Sequence, residues 1–89
     1  MEKIQNYING DLVPPNSGEY INNFCPGTGE AYSLIPDSDT HDVEMAVEAA
    51  QKAFKSWSTI PKQERSDILI NLANEIKDHS DELVIAESR

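Results

Sequence analysis

The stretch "FCPGTGE", residues 24–30, holds the chain's only cysteine and its only Gly-x-Gly run. Its reading decides the fold. A glycine-rich turn that leaves a strand and opens a helix aims backbone N–H groups and the helix dipole at a phosphate. The same turn between two strands is a hairpin corner. The next residues here are "AYSLI", 31–35, a β-favouring run, and no Lys-Ser/Thr pair comes after it. Pro26 presets one turn dihedral and the glycines supply the reversed ones. The stretch is therefore a corner in a β-hairpin.

Working outward, residues 4–36 read as strands and turns. "IQNYINGDLV", residues 4–13, places Asn9-Gly10 between two short β-favouring runs, the strongest two-residue hairpin signal. "PPNSG" comes next as a loop, because proline cannot donate to a ladder. In "EYINNF", Tyr20, Asn22 and Phe24 (or Ile21 and Asn23) alternate across a sheet, and Tyr32 and Leu34 share a face of the return strand.

From residue 39 the period becomes helical. "DTHDVEMAVEAAQKAFKSWS" opens with Asp39 or Thr40 as cap and carries acids in its first turn, suited to the positive end of the dipole. Val43, Ala46, Val47, Ala50, Phe54 and Trp57 form one apolar stripe, and Glu48 and Lys52 pair on the wet side. Ser58 or Thr59, with Pro61, marks the next start. That second helix carries Ile68, Leu69, Leu72, Ala73 and Ile76 on one face. Helices over 40–58 and 61–78 are expected to form an antiparallel hairpin whose stripes bury each other and further chain. "DHSDELVIAESR", residues 78–89, offers a cap at Asp78 or Ser80, then Leu83, Val84 and Ala86, by a kink or a fresh helix. No Gly, Asn or Pro stop comes after Ser80. The expectation is α+β: a β-hairpin region over 1–37 and a helical region over 38–89, the latter cut before a parent domain is complete.

At 89 residues the chain is one small domain at most, hiding about 60% of its unfolded surface on folding, which argues against a self-sufficient enzyme. A formal charge of -9 with no clustered basic patch argues against nucleic acid. No apolar run approaches the ~20 residues needed to cross a bilayer, and one cysteine makes no internal disulfide. "MEKIQNYING" lacks a signal core, so a cytoplasmic setting is expected.

The chemistry-bearing residues give no active site. A catalytic Cys25 would need a base or a helix amino terminus to form its thiolate. The nearest imidazoles in sequence, His41 and His79, each sit by a helix start. His41, Asp42 and Glu44 do not converge as metal ligands and read as solvated helix-start residues. Phe54 and Trp57 continue the stripe as packing residues. No catalytic, cofactor-binding or metal-binding residue is assigned.

The ordered set "YINGDLV", "CPGTGE", "DVEMAVEAAQKAFKSWS", "ERSDILINLANEI" and "DELVIAES" resembles the amino-terminal segment of the NAD(P)-dependent aldehyde dehydrogenase superfamily. The likeness covers nearly the whole chain. "LVPPNSGEYINNFCPGTGEAYSLIPDSD", residues 12–39, is most similar to the aminomuconate or hydroxymuconate semialdehyde dehydrogenase type. Cys25 departs from the family's Asn before Pro and is not at its nucleophile position. The resemblance implies a parent in which a cysteine thiolate adds to an aldehyde, hydride passes to NAD or NADP, and a glutamate-activated water releases the acid. It further implies that these groups, the dinucleotide site and the oligomerisation strands all come after residue 89. No cofactor is expected in residues 1–89, which are predicted inactive. Their expected partners are the rest of the parent polypeptide and, in isolation, other copies of themselves. The rival expectation is a free-standing acidic α+β module whose helices dock on a protein; catalysis by residues 1–89 alone is a third, which predicts NAD reduction.

Overall fold

The computed structural model describes residues 1–89 and divides into two compact units, Met1–Ala53 and Phe54–Arg89. Five strands precede three helices: β1 (Glu2–Lys3), β2 (Asn6–Ile8), β3 (Asp11–Val13), β4 (Tyr20–Phe24), β5 (Ala31–Pro36), α1 (Thr40–Trp57), α2 (Lys62–Asp78) and α3 (Ser80–Ser88). The mixed α and β architecture is the expected one.

In the first unit, β2 and β3 pair antiparallel through Asn6↔Val13, Tyr7↔Leu12 and Ile8↔Asp11. Only Asn9 and Gly10 lie between them, at φ 53° and 82°. Two consecutive positive φ values match the right-handed twist of the flanking strands, which is why Asn-Gly is selected. Ile8, 9% exposed, is buried.

Strands β4 and β5 form the second antiparallel pair, from Tyr20↔Pro36 to Phe24↔Ala31, with a bulge between Asn23 and Phe24. Residues 2–3 add a strand that no local signal announces. They form β1, which runs parallel to β5 through Glu2↔Ser33 and Lys3↔Leu34, giving the order β1-β5-β4. Strand structure thus begins before residue 4. Parallel pairing joins residues far apart in sequence, so no turn residue marks it. At the centre of this sheet Ser33 is 1% exposed, and its hydroxyl accepts from Asn23 Nδ2 at 3.1 Å. The same amide donates to Tyr32 Oη at 3.0 Å.

The helices fall within a residue of the expected bounds, but their caps differ. Ser58 and Thr59 do not open α2. Thr59 Oγ1 donates to the Ser56 carbonyl at 2.9 Å, and Ser58 N–H donates to the Phe54 carbonyl at 2.9 Å, so both close α1. Carbonyls left over at the end of a helix attract such donors. Pro61 (ψ 147°) holds the N-cap of α2 without a side-chain hydrogen bond. The segment after Asp78 is a fresh helix rather than a kink of α2. Neither Asp78 nor Ser80 caps it: His79 (φ -108°, ψ 19°) ends α2 and begins α3, with its Nδ1 2.9 Å from the Glu75 carbonyl.

Much of each apolar stripe is exposed. Phe54 is 65% exposed and Leu72 53%, with Val43, Val47, Ile68, Leu69 and Ile76 in the same state. Neither α2 nor α3 contains a buried residue. An amphipathic helix gains most of its stability from what covers its apolar face.

Candidate functional site

Two places gather polar chemistry in the first unit: the Cys25 corner and the start of α1. At the corner, Cys25 N–H donates to the Glu30 carbonyl at 2.8 Å. The Cys25 carbonyl accepts from Thr28 N–H at 3.3 Å and Gly29 N–H at 2.8 Å. Gly29 stands at φ 73°, a left-handed conformation that a side chain would strain. The corner is a folded turn, as expected.

This hydrogen bonding decides the phosphate question. A phosphate cradle works because its N–H groups point outward at the anion. Here the N–H groups of Thr28 and Gly29 are turned in on Cys25, and the chain continues as β5 rather than a helix. The residues present do not fit a dinucleotide phosphate. Cys25 itself is half-buried and sits just after a strand rather than at a helix start.

The start of α1 is built more elaborately. Asp39 caps the helix, the one of the two candidates that does. Asp42 N–H donates to Asp39 Oδ1 at 3.2 Å, while Asp39 N–H donates to Asp42 Oδ2 at 3.0 Å. The two aspartates form a reciprocal capping box with Asp in place of the usual Glu or Gln. The loop before β4 is tied to the same pair. Asn16 N–H donates to Asp42 Oδ1 at 2.9 Å and to Oδ2 at 3.2 Å, and Asn16 Nδ2 donates to Asp39 Oδ2 at 3.1 Å. Ser17 Oγ donates to the Asp37 carbonyl at 3.0 Å, and Asn6 Nδ2 donates to Ser38 Oγ at 2.9 Å.

Asp42 is therefore not the solvated helix-start residue the sequence suggested. It is 5% exposed. A buried carboxylate is tolerated where donors satisfy its oxygens, and three contacts from two backbone N–H groups converge on this one. The Asn16 amide, followed by the Asp42 N–H, holds the Asp39 carboxyl below its ordinary value of 3.8. Asp-x-x-Asp ahead of a helical period was the available signal for this box; nothing local pointed to Asn16.

His41 and Glu44 stay exposed in the first turns of α1, and His79 lies in the second unit beside Glu75 (Nδ1 to Oε2, 3.7 Å). No group of three or more His, Cys, Asp or Glu side chains is placed to hold a metal ion. The carboxylates of Asp39 and Asp42 are spent on amide donors, so the cluster fixes a loop to a helix and offers no acid–base pair. No helix is long and apolar enough to cross a membrane.

Comparison with known proteins identifies the surroundings such a segment belongs in. Residues 12–89 match the model of the aldehyde dehydrogenase family. The chain is 43% identical over 86 residues to 2-aminomuconic semialdehyde dehydrogenase of Mus musculus, covering 97% of this chain and 17% of that protein. It is 42% identical over 83 residues to an aldehyde dehydrogenase of Vibrio cholerae, 93% of this chain and 16% of the relative. Long-chain-aldehyde dehydrogenase of an Acinetobacter species is 33% identical over 87 residues, 98% and 17%. The chain thus spans about one sixth of the length of these relatives.

Proposed function

Because the chain belongs to the aldehyde dehydrogenase family, we propose that it is the amino-terminal segment of an oxidoreductase that converts an aldehyde to a carboxylic acid with NAD or NADP. The observation that carries this is the match along nearly the whole chain at 43% identity. The substrate class proposed is a muconic semialdehyde, supported by the name of that mouse relative and by its human counterpart at 40% identity. The whole enzyme is proposed to be cytoplasmic and oligomeric.

Within that enzyme, residues 1–89 supply scaffold rather than chemistry. Cys25 is a turn residue, the two aspartates at α1 are occupied by amides, and the Thr28 and Gly29 amides face inward. The nucleophile, the base and the dinucleotide site come from the rest of the polypeptide. That same remainder covers the exposed stripes of α1 and α2, whose apolar surface makes the isolated segment associate with itself.

The intact polypeptide, mixed with aminomuconic or hydroxymuconic semialdehyde and either dinucleotide, is expected to form reduced nicotinamide. Its Cys25→Ser variant keeps that activity, and residues 1–89 alone show none. Nicotinamide reduction by the purified segment, or loss of turnover in a folded Cys25→Ser enzyme, overturns the assignment of roles. Light scattering on the segment is expected to show concentration-dependent association with binding of an apolar dye; a dye-silent monomer removes the claim about covered faces.

A further inference from the structure

The Asn9-Gly10 turn that sets the β2–β3 register also carries the chain's one exposed Asn-Gly peptide bond. The Asn9 side-chain amide makes no hydrogen bond, whereas the amides of Asn6, Asn16 and Asn23 donate to Ser38, Asp39 and Tyr32. Gly10 lies between the ladder pairs, its N–H donates to no carbonyl, and the space around its α-carbon is open. From this we infer that Asn9 is a site of spontaneous, non-enzymatic modification, and that its product releases the hairpin.

The step balances with water alone. The Gly10 backbone nitrogen attacks Asn9 Cγ, a C–N bond forms, the Cγ–Nδ2 bond breaks, and ammonia leaves with the Gly10 proton. Water then opens the cyclic imide. Hydrolysis at Cγ gives aspartate; hydrolysis at the main-chain carbonyl gives isoaspartate, in which the backbone runs through the former side chain. The two products differ in structural consequence. Aspartate tolerates the left-handed turn position and preserves Ile8↔Asp11. Isoaspartate adds a main-chain carbon to a two-residue loop whose length fixes the register. The pairing of Tyr7 with Leu12 is lost with it, and the buried Ile8 is uncovered.

The experiment is ageing of the 89-residue chain at mildly alkaline pH, with peptide mapping and isoaspartate-specific methylation as the readout. Conversion at Asn9 is expected to run about tenfold faster than at any other asparagine, since Gly has no Cβ to hinder the attack. The isoaspartyl population is expected to lose amide protection at Tyr7 and Leu12, while the Asn9→Asp variant keeps it. The Asn9→Gly variant, which suits the same turn, is expected to age without loss. Conversion at Asn9 no faster than at Asn22 or Asn74 overturns the site. An isoaspartyl chain with unchanged protection at Tyr7 and Leu12 overturns the release.

Discussion

The units Met1–Ala53 and Phe54–Arg89 are written in equally clear sequence patterns, yet they hold themselves together to different degrees. The first ties its turns, strands and helix start with hydrogen bonds that converge on Ser33, Asp39 and Asp42. The second consists of α2, α3 and the last turn of α1, and contains no buried residue. Turn chemistry and capping are satisfied between residues a few positions apart or by one loop contact. An apolar stripe is satisfied only by a partner surface. A good amphipathic pattern therefore states a requirement for cover, without supplying it.

The largest expected effect tests that contrast directly. Leu72→Ala in the 89-residue chain removes atoms that are already half in water, and surface substitutions of this kind change stability by less than about 0.5 kcal/mol. In the intact polypeptide, with the stripe covered as proposed, the same change is expected to cost about 2–5 kcal/mol, the range for truncating a buried leucine. Denaturant melts of both forms decide it; equal small losses in each would falsify the claim that α2 leans on further chain.

Next in size is Asp42→Ala, expected to cost the first unit about 1–3 kcal/mol, because it takes the acceptor from the part-buried Asn16 N–H hydrogen bond and opens half of the capping box. Asp42→Asn keeps an acceptor and is expected to lose about half as much. Amide exchange at Asn16 and Asp39 reads both variants. If Asn16 stays protected in Asp42→Ala, the junction is held by something other than this carboxylate.

These two cases also separate what the sequence made legible from what it did not. Asn9-Gly10 and Pro26–Gly29 were readable because a turn's dihedral requirements are met by the residues in it. The helices were readable from their period. Strand β1 was not, since its pairing with β5 spans about thirty residues. Ser58 and Thr59 misled because a hydroxyl between two helices can serve either neighbour, and here the free carbonyls of α1 took it. Asp42 misled for a related reason: an acid in a first helical turn is usually wet, and its burial depends on Asn16, 26 positions earlier. At the candidate site, the turn at Cys25 was legible from its own residues, whereas the Asn16–Asp39–Asp42 cluster needed the tertiary fold.

Asp39 gives a third, smaller test, in pH. Its folded carboxyl is held below 3.8 by Asn16 and by the Asp42 N–H, so the folded state favours the charged form. The stabilisation is complete above the ordinary value and is lost as pH falls through the lowered one. Amide protection in the first turn of α1 is thus expected to be flat from neutral pH down to about 4 and to fade below it. Asp39→Asn is expected to flatten that part of the profile; an unchanged acid limb would assign it to other carboxylates.

The smallest effect lies at the Glu48–Lys52 pair on α1, 3.2 Å apart with both side chains largely in solvent. Exposed pairs four apart contribute about 0.3–0.5 kcal/mol at low salt, offset by the entropy of holding two long side chains. Glu48→Gln is expected to shift the melt of the 89-residue chain by less than replicate scatter in moderate salt, and only slightly without it. A salt-independent loss comparable to that of Asp42→Ala would mean that α1 depends on its wet face, and the contrast between locally satisfied polar groups and uncovered stripes would then misplace what holds the helix.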